Sequence, residues 1–72
     1  MAKAADTIIY ELMARDPGFR CSEDDLFDVQ AGTRGLVVTL ADGRVRPLAM
    51  KQTLANSLAR SWAIDVEAKV SR

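Results

Sequence analysis

Residues 35–49 read Gly-Leu-Val-Val-Thr-Leu-Ala-Asp-Gly-Arg-Val-Arg-Pro-Leu-Ala, and this stretch predicts a two-stranded β-hairpin. The β-branched run at residues 37–39 favours an extended backbone. Asp42-Gly43 is a favoured pair for a two-residue type I′ turn, because both central residues of that turn need positive φ. We therefore expect the chain to reverse at Asp42-Gly43.

A two-residue turn also assigns the side chains of the hairpin to its two faces, because the side-chain period of a strand is two. It places Leu40 opposite Val45 and Val38 opposite Pro47. The expected core face is Leu36, Val38, Leu40, Val45 and Pro47. The expected opposite face is Val37, Thr39, Ala41, Arg44 and Arg46. Since proline cannot donate to a ladder, residues 44–48 are expected to form an edge strand or to end at Pro47.

Residues 3–14, ahead of the hairpin, predict an amphipathic helix. Apolar side chains recur there at the spacing of one helical face; they are Ala5, Ile8, Ile9, Leu12 and Met13. The sequence Asp16-Pro17-Gly18 ends the helix, because proline disfavours α geometry in the residue before it.

Residues 23–30 allow two interpretations. Ser22 with Asp25 three residues later is typical of a capping box, and Gly32 suits a helix C-terminus, which favours a short acidic helix. Alternatively, Phe27 and Val29 alternate with polar residues as in an edge strand. The helix is the preferred prediction.

The C-terminal third predicts a second helix at residues 50–61 and a strand at residues 64–70. The helix stripe is Met50, Leu54, Ala55, Leu58 and Trp62. The strand prediction rests on alternation, with Ile64, Val66, Ala68 and Val70 on one side. The predicted fold is a single α+β domain spanning residues 1–72, with both helices packed on one face of a small sheet.

The chain has 72 residues, no histidine and one cysteine, Cys21. A lone cysteine excludes an intramolecular disulfide, and a zinc site is not expected without histidine. The commonest general base and the histidine-activated nucleophile pairs are also missing. We therefore expect no catalysis, no metal and no cofactor.

No apolar run approaches the length needed to cross a membrane, and no secretory leader pattern precedes the first helix. These features predict a cytoplasmic protein without a membrane partner. Seventy-two residues are close to the lower limit for an unaided core, so association into a homodimer is an available source of extra stability.

Ten basic and ten acidic residues cancel, but they are segregated along the chain. Residues 1–28 carry seven acidic and three basic residues, whereas residues 29–63 carry five basic and one acidic residue. The basic set is the candidate partner-binding surface: Arg34, Arg44, Arg46, Lys51 and Arg60. A secondary acidic surface comprises Glu23, Asp24, Asp25 and Asp28. A solvated helix start explains the acidic set better than a cation site, because EF-hand loop spacing is missing.

The expected function is that of a small regulator, inhibitor or adaptor that binds another protein stoichiometrically, of the kind that phages and other mobile elements carry. Segregated charge would orient such a partner, and an edge strand offers main-chain groups to it. The alternative is a nucleic-acid-binding regulator that uses the arginine-bearing hairpin and the second helix. In a third interpretation, the acidic and basic segments only neutralise each other on folding.

Overall fold

The computed structural model describes residues 3–70. Two helices pack against one face of a three-stranded antiparallel sheet in the order β1-β2-β3, which confirms the α+β fold class. The elements are α1 (Ala4–Arg15), a 3-10 turn (Glu23–Asp25), β1 (Leu26–Gly32), β2 (Gly35–Leu40), β3 (Val45–Ala49) and α2 (Gln52–Val70). No helix in this part of the chain is long and apolar enough to cross a membrane.

Helix α1 matches its prediction to within one residue at each end. Its buried side chains are Ala4, Ala5, Ile8 and Leu12. The helix ends before Pro17, and Asp16 already has an extended backbone. The following segment then places Phe19 in the core.

The preferred prediction of a helix at residues 23–30 is wrong, and the edge-strand alternative is correct from Leu26 onward. The Ser22 backbone N–H donates to Asp25 Oδ2 at 2.8 Å, but this bond caps a single 3-10 turn. Strand β1 then pairs with β2, Val29 lying opposite Val38. Pairing buries Val29 and gives β1 the hydrogen bonds of a sheet, whereas a helix of only eight residues is marginal on its own.

The hairpin forms as predicted, but its loop is one residue longer than a type I′ turn. Gly43 N–H donates to Leu40 O at 2.9 Å, and Leu40 N–H donates to Arg44 O at 2.8 Å. These bonds, with Gly43 at a φ of +93°, describe a three-residue loop with a bulge at the glycine. Val38 therefore lies opposite Arg46.

This extra loop residue reverses the predicted facing of every β3 side chain. Leu48 is buried at 2% exposure, whereas Val45, which the sequence places in the core, is 56% exposed. Pro47 is exposed as well. The expectation for β2 is confirmed, because Leu36 and Val38 are buried, and β3 is an edge strand as predicted.

The prediction of a C-terminal strand at residues 64–70 is wrong, because α2 continues without a break to Val70. No glycine or proline follows Pro47 to stop it. The alternating residues do not form a buried face: Ile64 is 58% exposed and Val70 is 79% exposed. The buried residues of α2 are Ala55, Leu58 and Trp62, so α2 packs tightly only as far as Trp62.

At Gly35, the backbone of the segment Leu48–Met50 lies so close that no side chain fits. A Cβ there would lie 2.3 Å from Leu48 O, and its φ is +136°. We expect Gly35→Ala to lower the free energy of unfolding by at least about 3 kcal/mol, because strain and backbone overlap act together.

Gly43→Ala is the matched control, because its φ is also positive but no atom lies within 4 Å of the added Cβ. We expect a loss of only about 1 kcal/mol from the backbone conformation. Urea unfolding monitored by Trp62 fluorescence measures both values. If both variants lose the same free energy of unfolding, steric contact at Gly35 does not account for the destabilisation by Gly35→Ala.

Candidate interaction surfaces

The sheet face that points away from the helices is uncovered by any residue from 3 to 70. Paired strand residues share this face, which we call the outer sheet face. Its members are Asp28 and Gln30 from β1, Val37 and Thr39 from β2, and Val45 and Pro47 from β3. Phe27, the extra residue at a bulge in β1, is 71% exposed beside them. The molecule thus exposes aromatic and aliphatic side chains on one side.

Sequence reasoning identified part of this surface. Val37 and Thr39 lie on the helix-free face as expected, but Ala41 belongs to the loop. The two-residue loop that Asp42-Gly43 predicts places Val45 and Pro47 on the core face, so neither is predicted for this surface. A usable signal is Asp42-Gly43 itself, since a glycine there also fits the bulge position of a three-residue loop.

Arg44 and Arg46 do not project from the face opposite the core, which corrects their predicted placement. Arg46 lies across from the buried Val38 and therefore at the margin of the helix-covered face. Its guanidinium carbon is 4.9 Å from the centre of the Phe19 ring, and Nη1 is 3.7 Å from Asp16 Oδ2. Arg46 thus closes the edge of the core and is engaged within the chain.

Arg44 is engaged in the loop that precedes β3. Its Nε is 2.8 Å from Asp42 Oδ2, and its backbone N–H donates to Asp42 Oδ1 at 3.0 Å. The backbone hydrogen bond from Arg44, together with its side-chain hydrogen bond and charge, lowers the pKa of Asp42. The positive charge of Arg44 is consequently paired with the carboxylate of Asp42 in the same loop.

The remaining candidates, Arg34, Lys51 and Arg60, are exposed and have no carboxylate partner among residues 3–70. Met50 N–H donates to Arg34 O at 3.4 Å, so Arg34 and Lys51 lie at the same end of the molecule. Arg60 lies two turns along α2. The predicted basic set is therefore divided between at least two places and does not form one patch.

The acidic residues predicted as a secondary surface do not act together, because three of them have different partners within the chain. Asp25 accepts from Ser22, and Asp28 accepts from Gln30 Nε2 at 2.8 Å. Glu23 accepts a hydrogen bond from Lys69, and this bond, with the Lys3 and Lys69 charges, lowers the pKa of Glu23. Glu23 thereby links the start of α1 to the end of α2.

No group of three or more potential metal-ligating side chains occurs among the described residues 3–70. A groove of about 400 Å³ runs between the 3-10 turn and the end of α2. Leu26 and Trp62 lie in it, and Glu23 and Lys69 pair across its rim. Both lysines of the groove, Lys3 and Lys69, therefore have Glu23 as a partner.

Cys21 is a free, half-buried thiol beside Asp25. Burial raises its pKa, and the Asp25 carboxylate raises it further. Both effects disfavour the thiolate, which is the nucleophilic form of cysteine. The environment of Cys21 resembles that of a small core residue.

The two arginines of the hairpin provide a direct test of these placements. We expect Arg46→Ala to lower the free energy of unfolding by about 1–2 kcal/mol, because it removes the Phe19 contact, the Asp16 pair and stem packing. Arg44→Ala should change it by less than about 0.5 kcal/mol, since its pair is exposed. Urea unfolding of both variants measures this, and a larger loss for Arg44→Ala would contradict the assigned register.

The chain matches no protein-family model, and no curated protein or solved structure is significantly similar to it.

Proposed function

We propose that the protein is a small, non-catalytic binding domain that places its outer sheet face against an apolar surface of another protein. One observation carries this proposal: Val45 is 56% exposed and Val37 is 37% exposed on a face that no helix within residues 3–70 covers. Exposed apolar groups that share one face favour protein contact, because covering them removes apolar area from water. The role would be that of a stoichiometric regulator, inhibitor or adaptor.

The charge of the outer sheet face supports a protein partner over a phosphate backbone. Asp28 is its one ionisable member, and that carboxylate is engaged with Gln30. Interfaces between proteins are depleted of charge at their centre, whereas nucleic-acid interfaces are strongly basic. The matching partner surface is therefore apolar and carries few charges.

The non-catalytic part of the proposal rests on the state of the reactive groups. Burial disfavours the thiolate of Cys21 by raising its pKa. Hydrogen bonds lower the pKa of Glu23 and of Asp42, from Lys69 in the first case and chiefly from the Arg44 backbone in the second. The sequence has no histidine to serve as a base. A single unpaired cysteine is compatible with the reducing cytoplasm, which we include in the proposal.

A second candidate function is nucleic-acid binding, and the position of Arg34 next to the start of α2 favours it. Lys51 precedes the first turn of α2, whose N–H groups carry partial positive charge. These groups lie at one end of the molecule, away from the centre of the outer sheet face. The two functions thus depend on different residues.

Val45→Asp tests the protein-binding proposal, because it puts a charge on the outer sheet face at an exposed site. Ile64→Asp is the matched control: Ile64 is 58% exposed, close to the 56% of Val45, but lies on α2. A tagged chain is immobilised and incubated with extract of the source cells, and retained proteins are quantified by mass spectrometry.

We expect wild type and Ile64→Asp to retain the same protein in near-equimolar amount, and Val45→Asp to retain at least about tenfold less, as for loss of 1.4 kcal/mol or more. Circular dichroism confirms that both variants fold. Equal retention by Val45→Asp and wild type would remove the outer sheet face from the proposal.

Salt dependence separates the second candidate from the first. If Arg34 and Lys51 bind phosphates, the affinity for a mixed-sequence DNA or RNA duplex should fall as salt rises, with a log–log slope of about −0.9 for each phosphate contact on DNA. The double variant Arg34→Gln/Lys51→Gln should then reduce the slope by about two. Fluorescence anisotropy measures this, and no binding at low salt would exclude the second candidate.

A further inference from the structure

We propose that β1 is a self-association edge: it pairs antiparallel with β1 of a second copy of this chain and joins two three-stranded sheets into one of six strands. This inference goes beyond the proposed function, because it concerns the backbone of an edge strand and not the outer sheet face. The side of β1 that faces away from β2 carries the argument.

The two edges of the sheet differ in how well they resist another strand. In β3, the even-numbered residues bond to β2, as the Leu40–Arg44 and Arg34–Met50 bonds show. Val45, Pro47 and Ala49 therefore point their backbone groups outward. Pro47 has no N–H to offer, and Ala49 O already accepts from Arg15 Nη2 at 2.6 Å. The β3 edge is blocked in two of its three outward positions.

The β1 edge carries a bulge at its start, at Phe27, but beyond the bulge neither proline nor a side-chain hydrogen bond blocks its outward backbone groups. Since Val37 and Thr39 bond toward β1, their partners Gln30 and Asp28 bond toward β2. Val29 and Ala31 then present their N–H and C=O groups outward, and no group within residues 3–70 bonds to them. Leu26–Gly32 contains no proline and no basic residue. Natural edge strands often carry a proline or a basic residue that prevents pairing with another strand.

The charge distribution around β1 is complementary to itself under a two-fold axis. The acidic 3-10 turn, Glu23–Asp25, immediately precedes β1, and Arg34 follows it in the β1–β2 turn. Antiparallel pairing of two β1 strands sets the start of each beside the end of the other. Asp24 and Asp25 of each copy would therefore lie near Arg34 of the other, where opposite charges favour this partner and this direction.

Hydrogen bonding selects the register. With Gln30 opposite its own copy, Val29 of each chain pairs with Ala31 of the other, and all four outward donors and acceptors of each strand are used. A register centred on Val29 would instead set Ala31 against the bulge at Phe27. Gln30 then occupies a non-hydrogen-bonded pair, whose Cα atoms approach to about 4.5 Å, within disulfide range.

Two proline variants test the edge, because each removes one outward N–H and leaves the sheet's own ladder intact. Ala31→Pro acts on β1, and Ala49→Pro is the matched control on β3. The mass in solution is measured by sedimentation at chain concentrations up to about 1 mM, since small interfaces are weak.

We expect the wild-type mass to rise from 7.9 kDa toward twice that value as concentration increases. Ala49→Pro should follow wild type, whereas Ala31→Pro should stay monomeric. The proposal is overturned if the wild type remains monomeric at every concentration. It is also overturned if β1 pairs only with a strand of another protein. Equal behaviour of the two variants overturns it as well.

A cysteine variant tests the register and is independent of proline tolerance. In a Cys21→Ser background, Gln30→Cys should form a reducible covalent dimer on mild oxidation at least about tenfold faster than Thr53→Cys, an exposed position on α2. Equal rates would overturn the proposed pairing. Val45→Asp leaves β1 unchanged, so its partner retention and its self-association are independent measurements. Unchanged partner retention would overturn only the proposed function, whereas a wild type without self-association would overturn only the pairing of β1.

Discussion

The three-residue loop at Ala41–Gly43 is the constraint on which the rest of the structure depends. Leu40 bonds to Arg44 across it, and this one bond determines which face each β3 side chain occupies. Leu48 enters the core as a result, and Arg46 reaches Phe19 and Asp16. A loop shorter by one residue would bury Val45 and Pro47 and would release Arg46 to solvent. The composition of the outer sheet face is thus decided by a turn that contributes no residue to it.

Sequence patterns predicted the elements whose local signals agree with their tertiary surroundings. Helix α1 has an apolar stripe and a proline stop, and β2 has a β-branched run, so both were found with their buried residues. The prediction of a C-terminal strand is wrong because the alternation of Ile64 and Val66 is only a local pattern. No glycine or proline stops α2 after Trp62, so the chain there extends the helix. The outer sheet face was only partly predictable from sequence, because the register between β2 and β3 depends on the length of the loop that joins them.

Charge in this molecule serves mainly to hold elements together. Glu23 accepts from Lys69 and lies near Lys3, which ties both helices to the 3-10 turn, and Asp16 holds Arg46 against Phe19. Of these pairs, only Asp16–Arg46 joins the acidic segment, residues 1–28, to the basic segment, residues 29–63. Lys3 and Lys69 lie outside the basic segment. Arg34, Lys51 and Arg60 are the basic candidates left without such a role in the described chain. Arg34 alone among them adjoins β1, so its charge bears on what that edge can bind.

The contrast between the two edges connects stability to assembly. A folded unit of this size buries a smaller share of its surface than a larger one, so each additional strand that packs beside it adds proportionally more buried area. Protection of β3 by Pro47 and Arg15 removes one route to open-ended stacking, because a sheet that could extend at both edges would propagate as a fibre. With one edge closed, pairing through the other ends after two copies. The asymmetry that leaves β1 unguarded is therefore compatible with a finite dimer, and the outer sheet faces of both copies remain accessible in it.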